Sequence, residues 1–111
     1  MVQRAVERLY ERMLGDPELA PFFAGVDMKA QHEKMGRFLG LVCGGRNDLH
    51  GPDLRAAHAR LVEHGLADRH FDATCGHLEA TLISLGVDPE AVDDVLAIVE
   101  STREDVLGRR S

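Results

Sequence analysis

Apolar residues recur along this chain at intervals of three and four, the spacing of an amphipathic helix, almost from end to end. In the first segment the periodic positions are Val2, Val6, Leu9, Tyr10, Met13 and Leu14. Gly15 is predicted to end this helix. Asp16 and Pro17 open a second helix that must be short, because Pro21 interrupts it. No window alternates with period two for long enough to form a strand, so the sequence predicts an all-α fold.

Four further helices are predicted, each with a capping residue or proline at its start or a glycine at its end. Their predicted starts are Asp27, Pro52 (after a polar loop from Arg46 to Gly51), Asp68 and Asp88-Pro89, and the predicted ends are Gly44-Gly45, Gly86 and Gly108. The last helix is expected to run unbroken to Gly108. We expect a single domain over residues 1–111, because a chain of this length is too short for two.

Composition and charge exclude several classes of protein. Hydrophobic residues make up 44% of the chain and charged residues 29%, an ordinary globular balance. The formal net charge of −6 argues against nucleic-acid binding, which depends on neutralising phosphates. No apolar run approaches the roughly 20 residues of a membrane span, and the first residues do not form a signal peptide. The two cysteines are isolated, so we expect neither a disulfide framework nor a zinc site. We expect the protein to be cytoplasmic.

His58 is a polar residue on an apolar helical face. It follows Leu54 by four residues and precedes Leu61 by three, so a helix places all three side chains together. One interpretation is a core histidine that donates to a backbone carbonyl. The other is a metal ligand, whose second ring nitrogen needs such an acceptor. No other His or Cys lies three or four residues away, so a lone imidazole suits iron already held by a porphyrin better than zinc.

Gln31 and Tyr10 raise the same question. Gln31 lies in a stripe with Met28, Met35 and Phe38, either as a boundary residue or as an amide donor in a dry pocket. Tyr10 lies on the buried face of the first helix, where a phenol needs a hydrogen-bond partner, either a structural carbonyl or a ligand.

The remaining candidates are interpreted as structural. His32, His50, His64 and His70 are treated as background, with His32 about 100° around the helix from Gln31. His77 is expected to be a satisfied histidine near the edge of the core, and Cys75 a small buried hydrophobe. The acidic residues of the last helix are expected to form a solvated face: Asp93, Asp94, Glu100, Glu104 and Asp105.

Taken in order, these residues resemble the truncated haemoglobins of group 1 over positions 2 to 108. The segments that carry the resemblance are Leu9-Tyr10, Asp16-Pro17-Glu18-Leu19-Ala20-Pro21-Phe22-Phe23, Gly25-Val26-Asp27-Met28, Gly44-Gly45, Leu54-Arg55-Ala56-Ala57-His58, His70-Phe71-Asp72 and Gly76-His77-Leu78. The chain has no tryptophan, whereas a tryptophan that faces the haem is typical of the other two groups.

The resemblance implies a shortened globin in which two antiparallel helix pairs enclose haem b. It implies that His58 is the proximal iron ligand, that Phe23 packs on the porphyrin and that Tyr10 places its hydroxyl over the iron. Gln31 becomes the distal-helix residue nearest the bound gas, and Lys34 pairs with a haem propionate. The other residues that it assigns to the haem pocket are Met35, Phe38, Leu54, Leu61 and Phe71.

The sequence departs from the family pattern at three places. It opens about where the second globin helix begins, so the usual first helix and its Gly-Gly junction have no counterpart in it. Met35 stands where many members carry a second distal glutamine, which leaves hydrogen-bond donation to Tyr10 and Gln31. Lys34 stands where members with a histidine as the sixth iron ligand carry that histidine. We therefore expect the sixth position to be open or occupied by water.

The resemblance leaves the activity open. Reversible dioxygen binding at a pentacoordinate ferrous haem, for transport, storage or sensing, is the first hypothesis, with CO and nitric oxide as further gaseous ligands. The second is a haem enzyme that oxidises nitric oxide to nitrate, or reduces peroxide, with electrons from an external reductase. The third is a helical interaction domain without a cofactor, which would leave Tyr10, Gln31 and His58 unrelated. A monomer or weak homodimer is expected.

Overall fold

The structure, a computed structural model, describes residues 2–44 and 51–109. Its helices are α1 (Val2–Leu14), a 3-10 helix (Ala20–Phe23), α2 (Met28–Cys43), α3 (Gly51–Glu63), α4 (Asp68–Ser84), α5 (Pro89–Glu100) and α6 (Arg103–Val106). The described residues contain no strand, so the predicted all-α class is confirmed. Most of the predicted polar loop, positions 46–50, and His50 lie outside the described residues, and Gly51 already belongs to α3. None of these helices is long and apolar enough to span a membrane.

Two helix starts show which sequence signals determined the fold. The side chain of Asp27 caps α2 as predicted, accepting from the amides of the second and third helical residues at 3.1 and 3.3 Å. The prediction that Asp68 caps α4 is wrong, since Ala67 occupies the cap position and Asp68 is the first helical residue. Nδ1 of His70 accepts the Ala67 amide at 3.0 Å, so an imidazole inside the helix performs the capping.

The predicted final helix is broken into α5 and α6. The hydroxyls of Ser101 and Thr102 donate to the carbonyls three residues earlier, at 2.5 and 2.6 Å. Such local bonds compete with the helical ladder and favour a turn. The prediction of one continuous helix to Gly108 is therefore wrong, because two adjacent hydroxyl residues end α5 at Glu100.

The core lies between two helix pairs. Helix α1 packs against α2 and α4, α4 packs against α5, and α2 also contacts α5, so the pair α1–α2 lies on the pair α4–α5. The fully buried apolar residues on these four helices include Val6, Leu9, Leu39, Val42, Leu78, Leu82, Val92 and Val95. In contrast, α3 packs closely against α6 rather than against α2. The surfaces of α2 and α3 that face away from these contacts are therefore not covered by each other.

Candidate functional site

Tyr10 places a polar atom, its phenolic hydroxyl, in the core. The side chain is 1% exposed, with the ring of Phe23 edge-on at 5.6 Å between ring centroids. Its hydroxyl has no hydrogen-bond partner within the described residues. Burial raises the pKa of Tyr10, and the nearby Gln31 side chain acts in the opposite direction without making a hydrogen bond of normal geometry. An unpaired buried hydroxyl costs about 1–3 kcal/mol. This cost favours a ligand that accepts a hydrogen bond from Tyr10.

His58 lies in the middle of α3 and is half-buried. Its Nδ1 lies 2.8 Å from the carbonyl oxygen of Leu54. When Nδ1–H donates to that carbonyl, Nε2 keeps its lone pair, which is the form that binds a metal ion. Among the described residues, none forms a hydrogen bond with Nε2. The carbonyl bond fits both interpretations from the sequence, and His64 makes the same bond to the residue four positions before it, so the bond alone does not choose between them.

The other predicted pocket residues are only partly covered by protein. On α2, Met35 and Phe38 are half-buried, and on α3 so are Leu54 and Leu61, whereas the α2 residues that face the core are fully buried. Because α2 and α3 do not pack closely together, these apolar side chains lie on two separated surfaces. A flat apolar group between the two helices would remove them from water. The residues present therefore fit a porphyrin.

Two further predicted positions lie differently. Lys34 is exposed, as a partner for a propionate would be. Phe71 is 7% exposed, and one of its ring faces carries the guanidinium of Arg103 at 4.5 Å from the ring centroid. Any contact between Phe71 and a ligand would have to use the remaining surface of the ring. Its assignment to the pocket stays a prediction.

The structure thus forms two groups of candidate residues. Tyr10, Phe23 and Gln31 lie together between α1, the 3-10 helix and α2. His58 shares one face of α3 with Leu54 and Leu61. Within the described residues, no hydrogen bond or ring contact joins the two groups. Two cavities of the described part, of about 550 and 280 Å³, are lined by neither Tyr10, Gln31 nor His58.

His32 is a residue that the sequence reasoning missed. Its ring lies 4.6 Å from that of Tyr10, tilted by 39°, and its Nδ1 is 2.6 Å from the carbonyl oxygen of Met28. The signal was in the spacing, since Met28, His32 and Met35 are separated by four and three residues and share a helical face. The imidazole therefore packs against the ring of Tyr10, as the ring of Phe23 does.

Three other polar residues test the structural interpretations. His77 is a satisfied histidine at the core edge, as predicted, with Nε2 2.7 Å from Oδ2 of Asp16. His70 lies in the first turn of α4, where it is 4% exposed and packs against the ring of Phe22. Asp105 does not belong to a solvated face, because it is 5% exposed and accepts from Arg55. The error on Asp105 comes from a tertiary contact that the local sequence does not contain.

The helix order, the two packed pairs and the unpaired phenol define a shortened globin. Residues 1–108 match the bacterial-like globin family. A group 1 truncated haemoglobin of Chlamydomonas moewusii is 42% identical over 106 residues, which cover 96% of this chain and 61% of that protein. The group 1 truncated haemoglobin GlbN of Synechocystis is 40% identical, with 97% and 90% covered.

Solved structures agree with these relatives. The 2/2 haemoglobin of Synechococcus sp. PCC 7002, in the cyanomet state and with covalently attached haem, has a TM-score of 0.87 and 40% identity over 97% of this chain and 90% of its own. THB1 of Chlamydomonas reinhardtii has a TM-score of 0.83 and 46% identity over 96% and 88%. The chain belongs to the bacterial-like globin family, whose members bind haem. The resemblance to group 1 truncated haemoglobins is confirmed.

Proposed function

We propose that this chain binds haem b through His58 and binds dioxygen reversibly beside the hydroxyl of Tyr10. The observation that carries the proposal is the buried phenol whose hydroxyl has no partner among the described residues. A structural tyrosine would have found a carbonyl. A tyrosine that binds a gas has the gas itself as the acceptor of its hydroxyl.

Each residue of the site has a separate task. His58 would supply Nε2 to the iron, and its bond to the Leu54 carbonyl would fix the ring orientation and tautomer. Phe23, with Met35 and Phe38, covers the porphyrin and excludes water. The exposed Lys34 pairs with a propionate at the rim. The haem supplies an iron centre that binds dioxygen reversibly when ferrous.

Tyr10 supplies selectivity among gases. The hydroxyl of Tyr10 would donate a hydrogen bond to dioxygen held beside it, and Gln31 is near enough to act as a second donor. A hydrogen bond to a group with partial charge contributes about 1.5–3 kcal/mol, which slows escape about tenfold to a hundredfold. Carbon monoxide is less polar and gains less.

Reconstitution with hemin tests haem binding directly. The purified apoprotein is titrated with hemin, and spectra are recorded in the ferric, ferrous and ferrous-CO forms for the wild type, His58→Ala and His64→Ala. His64 is the matched control, because it makes the same carbonyl bond outside the site. We expect stable haem in the wild type and in His64→Ala and its loss in His58→Ala. Retention of haem with unchanged spectra in His58→Ala would refute the ligand assignment.

The type of haem has its own measurement. Haem b is held without a covalent bond, so acidified butanone should extract it from the reconstituted protein. Colour that stays with the protein after extraction would contradict haem b. It would indicate covalent attachment instead, the state of the haem in the Synechococcus 2/2 haemoglobin.

Nitric oxide dioxygenation is the second candidate. It is favoured by the closeness of two potential donors, Tyr10 and Gln31, because strong retention of dioxygen suits an enzyme better than a carrier. In such a reaction dioxygen, nitric oxide and one electron would give nitrate, and an external donor would supply that electron. Rapid mixing of the dioxygen-saturated ferrous protein with nitric oxide decides. Nitrate formed over many turnovers with an added reductant supports the enzyme, and the absence of nitrate on the first turnover removes this candidate.

A further inference from the structure

The helix that carries His58 contacts α6 through a buried carboxylate and through apolar side chains. Helix α3 packs closely against α6, the short helix near the end of the described chain. Nη1 of Arg55, one turn before His58, lies 2.5 Å from Oδ1 of Asp105 on α6. Val62, one turn after His58, lies beside Gly108 just beyond α6. The contacts with α6 therefore bracket the histidine on both sides.

Burial distinguishes this ion pair from the others nearby. The Asp105 side chain is 8% exposed and that of Arg55 29%, whereas Glu104 and Arg109, which pair next to it, are 49% and 44% exposed. A buried carboxylate loses its hydration and depends on its partner, while an exposed pair is screened and contributes little. Loss of the Arg55–Asp105 pair should therefore affect the position of α3 more than loss of the exposed Glu104–Arg109 pair.

Helix α6 is itself fixed to the main helix pairs. Arg103, its first residue, donates to Asp68 at 2.9 Å and to Asp72, both on α4, and its guanidinium covers the ring of Phe71. Arg109 beyond the helix also donates to Asp68, at 2.6 Å. The position of α6 relative to α4 is thus set by several contacts, and the Arg55–Asp105 pair extends that constraint to α3.

We infer that Asp105, through Arg55, is a positioning residue that holds the His58 imidazole in place for the iron. The inference rests on the proposed role of His58 as the iron ligand. Because α3 does not pack closely on α2, the Arg55–Asp105 pair and the neighbouring apolar contacts with α6 determine where Nε2 lies. Asp105 touches neither haem nor gas in this account. It acts by limiting the movement of α3.

The test compares two charge-neutralising changes on the same short helix. Asp105→Asn removes the buried carboxylate, and Glu104→Gln removes its exposed neighbour, which pairs with Arg109. The ferric reconstituted proteins are mixed with excess haem scavenger, and the rate of haem loss is followed by absorption. We expect Asp105→Asn to lose haem at least about tenfold faster than the wild type, the effect of losing one charged hydrogen bond. Glu104→Gln should stay within about twofold.

A double-mutant cycle assigns the effect to the pair, since Asp105 has further interactions. Arg55→Met should speed haem loss as Asp105→Asn does, and the double variant should be no worse than either single one. Additive effects would overturn the inference that the two residues act as a pair. The ferrous iron–histidine vibration should shift or broaden in Asp105→Asn and remain unchanged in Glu104→Gln. An unshifted band in both would also overturn it.

Amide hydrogen exchange of the apoprotein separates positioning from general stability. We expect Asp105→Asn to accelerate exchange in α3 while the core of α4 stays protected. Equal acceleration in both helices would mean that Asp105 supports the whole fold, and the inference would be wrong. If the wild type itself binds no haem, the proposed function fails. If the wild type binds haem and Asp105→Asn loses it no faster than Glu104→Gln, the inference alone fails.

Discussion

Replacement of Tyr10 by phenylalanine should stabilise the apoprotein and weaken the hold on dioxygen. The change removes one hydroxyl and keeps the ring that packs on Phe23 and His32. The two effects have opposite signs because the hydroxyl has no partner among the described residues and, in the proposed function, would gain one from the bound gas. If the tyrosine had a structural role, Tyr10→Phe would destabilise the apoprotein and leave dioxygen dissociation unchanged.

The magnitudes follow from the burial of the phenol. The Tyr10 side chain is 1% exposed, so its unpaired hydroxyl carries most of the desolvation penalty of about 1–3 kcal/mol. Part of the gain is offset by the small void left behind. We expect the free energy of unfolding to rise by about 1 kcal/mol, or about 4–8 °C in melting temperature. Dioxygen dissociation should accelerate by about tenfold to a hundredfold.

The assay pairs each effect with a matched control. Thr81 carries the other buried hydroxyl without a partner in the described part of the chain, and it is 0% exposed. Thr81→Val should also stabilise the apoprotein, because it too removes an unpaired hydroxyl. It should leave dioxygen dissociation unchanged. Thermal unfolding of the apoproteins and stopped-flow displacement of dioxygen by CO measure the two quantities.

Two outcomes would refute the reasoning about Tyr10. If Tyr10→Phe destabilises the apoprotein by more than about 1 kcal/mol, the hydroxyl has a structural partner and is not available to a ligand. If dioxygen dissociates at the wild-type rate from Tyr10→Phe, the phenol is not the donor. Faster dissociation from Thr81→Val as well would show that loosened packing, rather than the hydroxyl, controls escape.

Two further predictions concern residues outside the site. The hydrogen bond from His77 holds the pKa of Asp16 below its usual value, so this contact stabilises the fold above the ordinary pKa of 3.8 and is lost as pH falls through the lowered value. Asp16→Asn should therefore be less stable than the wild type in urea at neutral pH, with the difference closing in acid; a constant difference would exclude this linkage. Burial raises the pKa of both thiols, that of the half-buried Cys75 to about 11, and Cys43 is exposed; a thiol reagent at about pH 8 should therefore label Cys43 much faster than Cys75 in the folded wild type, and both thiols in urea. Labelling of Cys75 in the folded protein at the rate of an exposed thiol would contradict its burial.

The fold was predictable because the local signals agreed with the tertiary structure. The stripe on α1 is buried as its spacing indicates, from Val6 through Met13, although Leu14 at its end is 45% exposed. Asp27 begins α2 by the capping bond that its side chain chemistry favours. These elements depend on neighbours three or four positions away, which the sequence shows directly.

The errors in the fold arose where side chains competed with simple boundary rules. Ser101 and Thr102 neither support nor contradict the apolar helical pattern. Their hydroxyl bonds nevertheless break the helix. The cap of α4 comes from His70, which no capping rule would select over Asp68. In both cases the decisive bond is made by a side chain that could equally have pointed to solvent.

The site was predictable in part. Tyr10, Gln31 and His58 attract attention because each is polar on an apolar face, which is visible from spacing alone. The contact of His32 with Tyr10 required knowing how α1 crosses α2. The burial of Asp105 required the docking of α6 on α3, which joins residues fifty positions apart in the chain. Contacts at that separation leave no periodic trace in a single sequence.

The spectrum of a His58→Gly variant with and without added imidazole is the most direct test of the central claim, that one side chain of α3 holds the haem iron. We expect the ferrous wild type to give the five-coordinate spectrum of a haem with one histidine ligand. His58→Gly should lose that spectrum, and free imidazole should restore it. A five-coordinate histidine spectrum in His58→Gly without imidazole would contradict the account, because another residue would then be the ligand.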